Sequence, residues 1–176
     1  SSYTGLEIMP ALVEWCTHNI TGRFPNFRFI HANIYSSHYN PGGDLKASLY
    51  RFPFEDESFD QVLLASVFTH MLHSDVSNYL REIGRVLKKE GLCLATFFVY
   101  GSDEFKEIHA EGANPRFLFP VYMRRNLPVS VCSNPQELEE AVAFEKDCME
   151  DKIRETGLKI RAYRPGKWLK SRQAPY

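Results

Sequence analysis

The clearest periodic pattern of the chain lies between residues 76 and 87. Apolar side chains recur there every three or four positions, at Val76, Tyr79, Leu80, Ile83, Val86 and Leu87. Such a stripe predicts an amphipathic helix with one face buried against a core. Ser74 is suited to cap the start of this helix, and Gly91 is suited to end it in a left-handed conformation.

Short β-prone segments lie on both sides of this helix. Strands are predicted at 3–8, 27–34, 59–67, 92–99 and 158–163. The apolar run 62–65 is typical of a strand that is buried on both faces of a parallel sheet. Pro10 is tolerated in the first turn of a helix that runs to about Asn19. A later helix that ends near Gly157 is indicated by the apolar residues Phe144, Cys148, Met149 and Ile153.

The order of these elements indicates the α/β class. Strands that alternate with helices are joined by crossover connections, which bring successive strands parallel to one another. We therefore expect a mostly parallel sheet with helices on both of its faces. No repeat, low-complexity tract or Gly/Ser linker interrupts residues 1–176, so a single domain is predicted.

Composition limits the cellular compartment and the binding partners expected for this domain. Of the 176 residues 44% are apolar, which suffices for a core, and the net charge of -1 gives no overall attraction to nucleic acid or to an anionic membrane. No segment approaches the roughly 20 apolar residues of a membrane helix. The four cysteines form no C-x-x-C pair, and His, Cys and carboxylate residues show no metal-ligand spacing. We therefore expect a cytoplasmic protein with reduced core cysteines and no metal site.

Polar residues at predicted strand ends are the candidates for chemistry, because ligands of parallel α/β sheets bind beyond the carboxyl ends of the strands. Glu7 ends the first strand, where a carboxylate can accept hydrogen bonds from both hydroxyls of a ribose. It can equally be a solvated glutamate beside a helix N-terminus. Asn33 ends the second strand, where its amide suits the edge of an adenine ring or, alternatively, the formation of a turn.

Two long segments resemble a known family. They read YRFPFEDESFDQVLLASVFTHM (50–71) and YLREIGRVLKKEGLCLATFFV (79–99). They look like the core of class I S-adenosylmethionine-dependent methyltransferases, in which an lPF-x-D-x-SFD segment precedes the fourth strand and RVLKPGG closes the following helix. YTGLEIMPALVEWC (3–16) is similar to the second strand and helix of that family, and FRFIHANIYS (27–36) to its third strand.

The resemblance implies a Rossmann-like fold, S-adenosyl-L-methionine as cofactor, and transfer of its methyl group to a small-molecule acceptor. In that family the acidic residue that ends the second strand grips the ribose hydroxyls, which gives this role to Glu7 beside Ile8. The residue that ends the third strand, usually aspartate, contacts the adenine amine. Here it is Asn33, followed by Ile34, so a hydrogen-bonding group is kept and the charge is lost.

Further roles follow for residues after the fourth family strand. Ser66 and Val67 match the loop beneath the methionine portion of the cofactor. His70 is a candidate general base, because histidine titrates near neutral pH; alternatively it caps or orders the following helix. The segment 105–131, which contains several aromatic and arginine side chains, is expected to form a substrate cover, and an ordinary packed loop is the alternative.

Both ends of the chain depart from the family pattern. The family begins with a strand that ends in a glycine-rich E/D-x-G-x-G-x-G loop, whereas this chain starts at the equivalent of the second strand. Its last residues, 166–176, resemble the approach to the final strand. We therefore expect a truncated piece of a longer enzyme that lacks the glycine-rich motif and the last strand.

Two other functions are compatible with these residues. An acidic residue that ends the second strand also binds the ribose of a nicotinamide cofactor, so an NAD(P)-dependent oxidoreductase is one alternative. The segments FPFEDESFD and RVLKKEG favour the methyltransferase over it. A non-catalytic, partner-binding relative is the other alternative, which the absent glycine-rich loop supports.

Overall fold

The computed structural model describes residues 1–101, 130–132, 134, 136–164 and 166, and for 130–132 the backbone alone. The chain divides into two compact units, Ser1–Tyr50 and Arg51–Tyr176. Each unit contains a parallel pair of strands joined by a connection that carries a helix. This is the βαβ arrangement that the sequence predicts, and the α/β class is confirmed.

The first unit is built on the strands β1 (Tyr3–Glu7) and β2 (Phe27–His31). They pair in parallel, in a register that sets Tyr3 opposite Phe27 and Glu7 opposite His31. The helix α1 (Pro10–Cys16) and a π-helical turn (Thr17–Thr21) connect them, with Pro10 in the first turn as expected. The ring of Tyr3 lies 5.4 Å from that of Phe27, centroid to centroid.

The loop after β2 folds back on itself. Ile34 forms a parallel bridge with Leu45, and Ser36 forms an antiparallel one with Asn40. The buried amide of Asn40 donates to the carbonyl oxygen of Ile34 at 2.9 Å. Gly43 is required in this loop, because a Cβ there would lie 2.4 Å from the carbonyl carbon of Ile34.

The described residues of the second unit form two sheets. The strands β3 (Phe59–Leu64) and β4 (Leu87–Ala95) pair in parallel, with a bulge between Phe59 and Gln61. A second sheet has the order β5–β7–β6, in which β5 (Phe98–Tyr100) is parallel and β6 (Ser130–Cys132) antiparallel to β7 (Val142–Glu145). The connection between β3 and β4 carries a 3₁₀ turn (Phe68–His70) and the helix α2 (His73–Val86). The helix α3 (Lys146–Glu155) follows β7.

Helix α2 provides the core of the second unit. The predicted apolar stripe is buried along its whole length, and its side chains are 0–8% exposed: Val76, Tyr79, Leu80, Ile83, Val86 and Leu87. Phe52 packs against this stripe, since its ring meets that of Tyr79 edge to face at 4.9 Å. The amphipathic helix predicted from the sequence is therefore confirmed.

The predicted caps of α2 are wrong. The helix begins at His73, so Ser74 lies inside its first turn, and Leu72 occupies the cap position without a side-chain hydrogen bond. At the other end α2 passes directly into β4, and the left-handed residue is Glu90, with φ 69°, rather than Gly91. Glycine is needed at 91 for another reason: a Cβ there would lie 2.9 Å from the carbonyl oxygen of Lys88.

Strand β3 is buried on one face only, in contrast to the prediction. Leu64 is 6% exposed, whereas Leu63 is 63% exposed. On the neighbouring strand Leu92 and Leu94 are 45% and 67% exposed. Leu63 and Leu94 are partners in the ladder, so the open apolar surface is one continuous face of the β3–β4 pair.

The predicted strand at 158–163 is absent. The alternating segment LKIRAY is irregular, and Ile160 and Tyr163 are 44% and 54% exposed. Alternation alone does not make a strand, because the backbone groups also need a partner strand. Phe144, expected in the last helix, lies in β7 instead, and α3 begins two residues later.

Candidate functional site

Glu7 is the last residue of β1, at the carboxyl end of the first parallel pair. Its Oε1 accepts a hydrogen bond of 2.9 Å from the backbone N–H of Met9, the residue that precedes α1. The side chain is half-buried. Oε2 has no hydrogen-bond partner among the described residues. The carboxylate is therefore oriented by the backbone while one of its oxygens is left for another donor.

Ile8 and His31 lie next to Glu7. The imidazole Nε2 of His31 is 3.2 Å from the carbonyl oxygen of Ile8, and the N–H of Ala32 donates to the carbonyl of Glu7 at 2.8 Å. These two contacts hold the chain that leaves β1 against the end of β2. His31 thus makes a structural contact at the end of β2.

Asn33 is bound to Asp44 by both backbone and side chain. Its Nδ2 donates to Oδ2 of Asp44 at 3.0 Å, and its backbone carbonyl accepts the N–H groups of Asp44 and Leu45. Asn33 therefore helps to build the turn, which was one of its two predicted roles. Because Nδ2 is engaged with the carboxylate of Asp44, the amide is oriented so that Oδ1 is its second, accepting atom.

The apolar residues assigned to the cofactor differ in burial. Ile34 is 2% exposed and forms part of the core of the first unit, whereas Ile8 is half-buried. Gly43, in the returning part of the same loop, lies close to the Ile34 backbone. A contact between Ile34 and a ligand stays a prediction.

Ser66 has an unusual backbone at the carboxyl end of β3. Its φ of 56° lies in the left-handed region, which few residues other than glycine adopt. Its N–H donates to Oγ1 of Thr96, just past the end of β4, at 2.7 Å. Such strained backbone conformations are concentrated at functional sites. Thr96 was not among the sequence candidates, because the predicted strand 92–99 placed it mid-strand.

Val67 and His70 lie in the turn that follows Ser66. Val67 is 36% exposed, and its carbonyl accepts the N–H of His70 at 3.0 Å. Between them Phe68 is fully buried and stacks on Phe97, with ring centroids 4.6 Å apart. The hydroxyl of Thr69 is buried and has no hydrogen-bond partner among the described residues.

The imidazole of His70 is oriented by the backbone. Its Nδ1 lies 3.1 Å from the carbonyl oxygen of Glu139. A carbonyl only accepts, so Nδ1 carries the hydrogen and, in the neutral ring, Nε2 carries the lone pair. His70 does not cap α2, whose N-terminal cap position is held by Leu72.

Other sequence expectations concern cysteines, metals and the cover segment. Cys16 and Cys148 are half-buried and Cys93 is exposed, all as free thiols, so these three are not core residues.

Within the described ranges no three His, Cys, Asp or Glu side chains are grouped to hold a metal ion. None of the helices that the structure describes is long and apolar enough to cross a membrane. The expected substrate cover, 105–131, lies outside the described residues except for the backbone of 130 and 131.

The structure groups the predicted site residues in two places. In the first unit, Glu7 and Ile8 adjoin His31 while Asn33 adjoins Asp44. In the second unit, Ser66, Val67 and His70 share one turn. All of them lie at or just after the carboxyl ends of parallel strands, as the strand-end rule predicts.

A protein-family model described as a methyltransferase domain matches residues 1–95, just over half of the chain. The matched range includes every residue assigned to the cofactor, as well as His70.

Two solved structures have a similar fold. The YcgJ protein from Bacillus subtilis is 18% identical, with a TM-score of 0.50 over 88% of this chain and 51% of its own. The PH0226 protein from Pyrococcus horikoshii OT3 is 16% identical, with a TM-score of 0.53 over 87% of this chain and 61% of its own. At these identities the likeness concerns the fold. The chain spans between half and two thirds of the length of these two proteins.

Proposed function

Since this chain belongs to the methyltransferase domain family, we propose that it takes part in the transfer of a methyl group from S-adenosyl-L-methionine to a small-molecule acceptor. The observation that carries the proposal is the state of Glu7. A carboxylate at the carboxyl end of a parallel strand is held by one backbone N–H and keeps a second oxygen without a described partner.

The residues present fit this cofactor. A ribose offers two hydroxyl donors, and the Glu7 carboxylate supplies accepting oxygens at a strand end. An adenine amine is also a donor, and Oδ1 of Asn33 is an acceptor whose orientation is fixed through Asp44. In the second unit we assign Ser66 and Val67 to the methionine portion. When bound, the cofactor supplies a methyl group already activated on a sulfonium.

The work of the protein is then mainly to bind and to orient. Methyl transfer needs a nucleophile in line with the activated group, so positioning and exclusion of water account for much of the catalysis. His70 adds a candidate general base. With Nδ1–H donating to the carbonyl of Glu139, Nε2 is the atom that accepts a proton from a hydroxyl or amine acceptor.

A small acceptor is favoured over nucleic acid or a membrane surface. The net charge of -1 gives no long-range attraction to phosphate backbones or anionic lipids. We also propose a cytoplasmic location, in keeping with the free thiols of Cys16, Cys93 and Cys148.

Calorimetric titration of S-adenosylhomocysteine tests the proposal. We expect micromolar binding that Glu7→Gln weakens about tenfold or more, because hydrogen bonds to a charged group are lost. Glu14→Gln is the matched control, since Glu14 is an exposed carboxylate on α1 of the same unit. A folded protein that gives no heat with S-adenosylhomocysteine would contradict the proposal. Binding of NADH in its place would favour the oxidoreductase.

A further inference from the structure

Two consecutive residues just past the end of β4, Thr96 and Phe97, grip the turn after β3. Thr96 accepts the N–H of Ser66 through its hydroxyl oxygen at 2.7 Å. Phe97 stacks on Phe68 at a centroid distance of 4.6 Å and an interplanar angle of 17°. Val67 lies between the two gripped residues and is 36% exposed. The grip therefore presents Val67 at the carboxyl end of the strand pair.

The two anchors differ in kind. Phe68 is fully buried, so apolar packing fixes its end of the turn. Ser66 is exposed and has little packing of its own. Its position depends on the hydrogen bond to Thr96, whose own N–H donates to the carbonyl of Leu64 at 3.1 Å. Thr96 thus ties down the residues on both sides of Ala65.

The hydrogen bond matters because Ser66 is held in a conformation that it does not favour. At φ 56° a serine is less stable than in an extended or right-handed conformation. Without the hydroxyl of Thr96, the N–H of Ser66 loses its partner and the backbone relaxes toward those regions. The turn that carries Val67 then shifts with it.

We propose that Thr96 is a positioning residue for the cofactor. Its hydroxyl holds Ser66 in the left-handed conformation, so that Ser66 and Val67 are already in place when the methionine portion binds. This role rests on the proposed function. The reason for a hydroxyl at position 96 is its accepting oxygen, which threonine and serine share and valine lacks.

The affinity for S-adenosylhomocysteine, measured by titration calorimetry, tests this role. Thr96→Val keeps the shape of the side chain and removes the acceptor, and we expect it to weaken binding about fivefold to tenfold. Thr96→Ser keeps the acceptor and is expected to bind like the wild type. Because Thr96 is exposed, the midpoint of thermal unfolding should be nearly the same in all three proteins.

A double-mutant cycle with Ser66→Gly tests whether Thr96 acts by holding the backbone of Ser66 or whether Thr96→Val disturbs the binding site in some other way. Glycine adopts positive φ readily, so in the Ser66→Gly background the loss of the Thr96 hydroxyl should cost less affinity than in the parent. Equal costs in the two backgrounds would overturn the positioning role, as would wild-type affinity in Thr96→Val. If the wild-type protein itself does not bind S-adenosylhomocysteine, the proposed function fails, and the role of Thr96 fails with it.

Discussion

Arg85 and Glu82, three residues apart on α2, form a two-pronged ion pair. The Nη2 of Arg85 donates to Oε2 of Glu82 at 2.6 Å, and Nε donates to Oε1 at 3.0 Å. The same guanidinium donates to the carbonyl oxygens of Phe52 and Phe54, and Glu82 accepts the N–H of Phe52 at 2.8 Å. The pair thereby fastens the FPFEDESFD segment to the end of α2, where the RVLKKEG segment begins. The two motifs that carry the family resemblance are parts of one contact.

Removing Arg85 should destabilise the second unit strongly. Both side chains are largely buried, with 16% and 10% of their surfaces exposed. Arg85→Ala therefore leaves the Glu82 carboxylate without its charged partner and removes the guanidinium donor from two backbone carbonyls. We expect the free energy of unfolding, measured in urea, to fall by about 2–4 kcal/mol. Arg85→Lys keeps the charge but not the planar fork, and should lose less.

Arg154→Ala is the matched control for this measurement. Arg154 is 61% exposed on α3 and pairs with Asp151 and Glu150 at the surface. Exposed pairs contribute about 0–1 kcal/mol, so little change is expected. If Arg85→Ala and Arg154→Ala lowered the free energy of unfolding equally, the buried pair would contribute no more to stability than the exposed pair.

The Glu82–Arg85 pair should also make stability depend on acid pH. Hydrogen bonding by Arg85 lowers the pKa of Glu82 below its ordinary value of 4.5. A carboxyl group whose pKa is lower in the folded state binds its proton more readily in the unfolded state. Its contribution is therefore complete above pH 4.5 and is lost as the pH falls through the folded pKa.

Unfolding curves between neutral and acid pH measure this dependence. Glu82→Gln cannot titrate at this position, so its stability should be lower at neutral pH and should fall less on acidification than that of the wild type. Parallel pH profiles of the two proteins would contradict the assignment.

The loop that carries Asp44 should tolerate alanine at one glycine and not at its neighbour. At Gly43 a Cβ would lie 2.4 Å from the Ile34 backbone, whereas at Gly42 nothing lies within 4 Å. We expect Gly43→Ala to cost about 1–3 kcal/mol of unfolding free energy through overpacking. Gly42→Ala should change it by less than about 0.5 kcal/mol. Similar values for both variants would be inconsistent with the close approach at Gly43.

Exchanging the partners Asn33 and Asp44 tests why asparagine occupies the position where the family usually has aspartate. Asn33→Asp alone sets two carboxylates at the distance of a 3.0 Å hydrogen bond and removes the donor, which should cost about 1 kcal/mol of stability and weaken the binding of S-adenosylhomocysteine. The double exchange Asn33→Asp with Asp44→Asn restores one amide and one carboxylate. Stability and affinity should both recover in the double variant. If stability and affinity in the double variant were no higher than in Asn33→Asp, the contact between residues 33 and 44 would not be what stabilises this turn.

The sequence by itself determined the features that arise from local pattern. The spacing of the apolar residues on α2 predicted its buried face, because residues three or four positions apart lie on the same face of a helix. Parallel pairing followed from the alternation of strands and helices, and the strand-end rule located Glu7, Asn33 and Ser66. In each case the physical cause lies within one helix or one strand–helix–strand unit of the chain.

Only the tertiary structure decided which partners those residues meet. Thr96 reaches Ser66 across 30 residues of sequence, and Asp44 reaches Asn33 across a loop with no periodicity. The segment 158–163 shows the converse: its alternation suits a strand, yet it remains irregular. A hydrogen bond between distant residues, and the lack of a partner strand for 158–163 among the described residues, leave no mark on local hydrophobicity, so they appear only once the chain is folded.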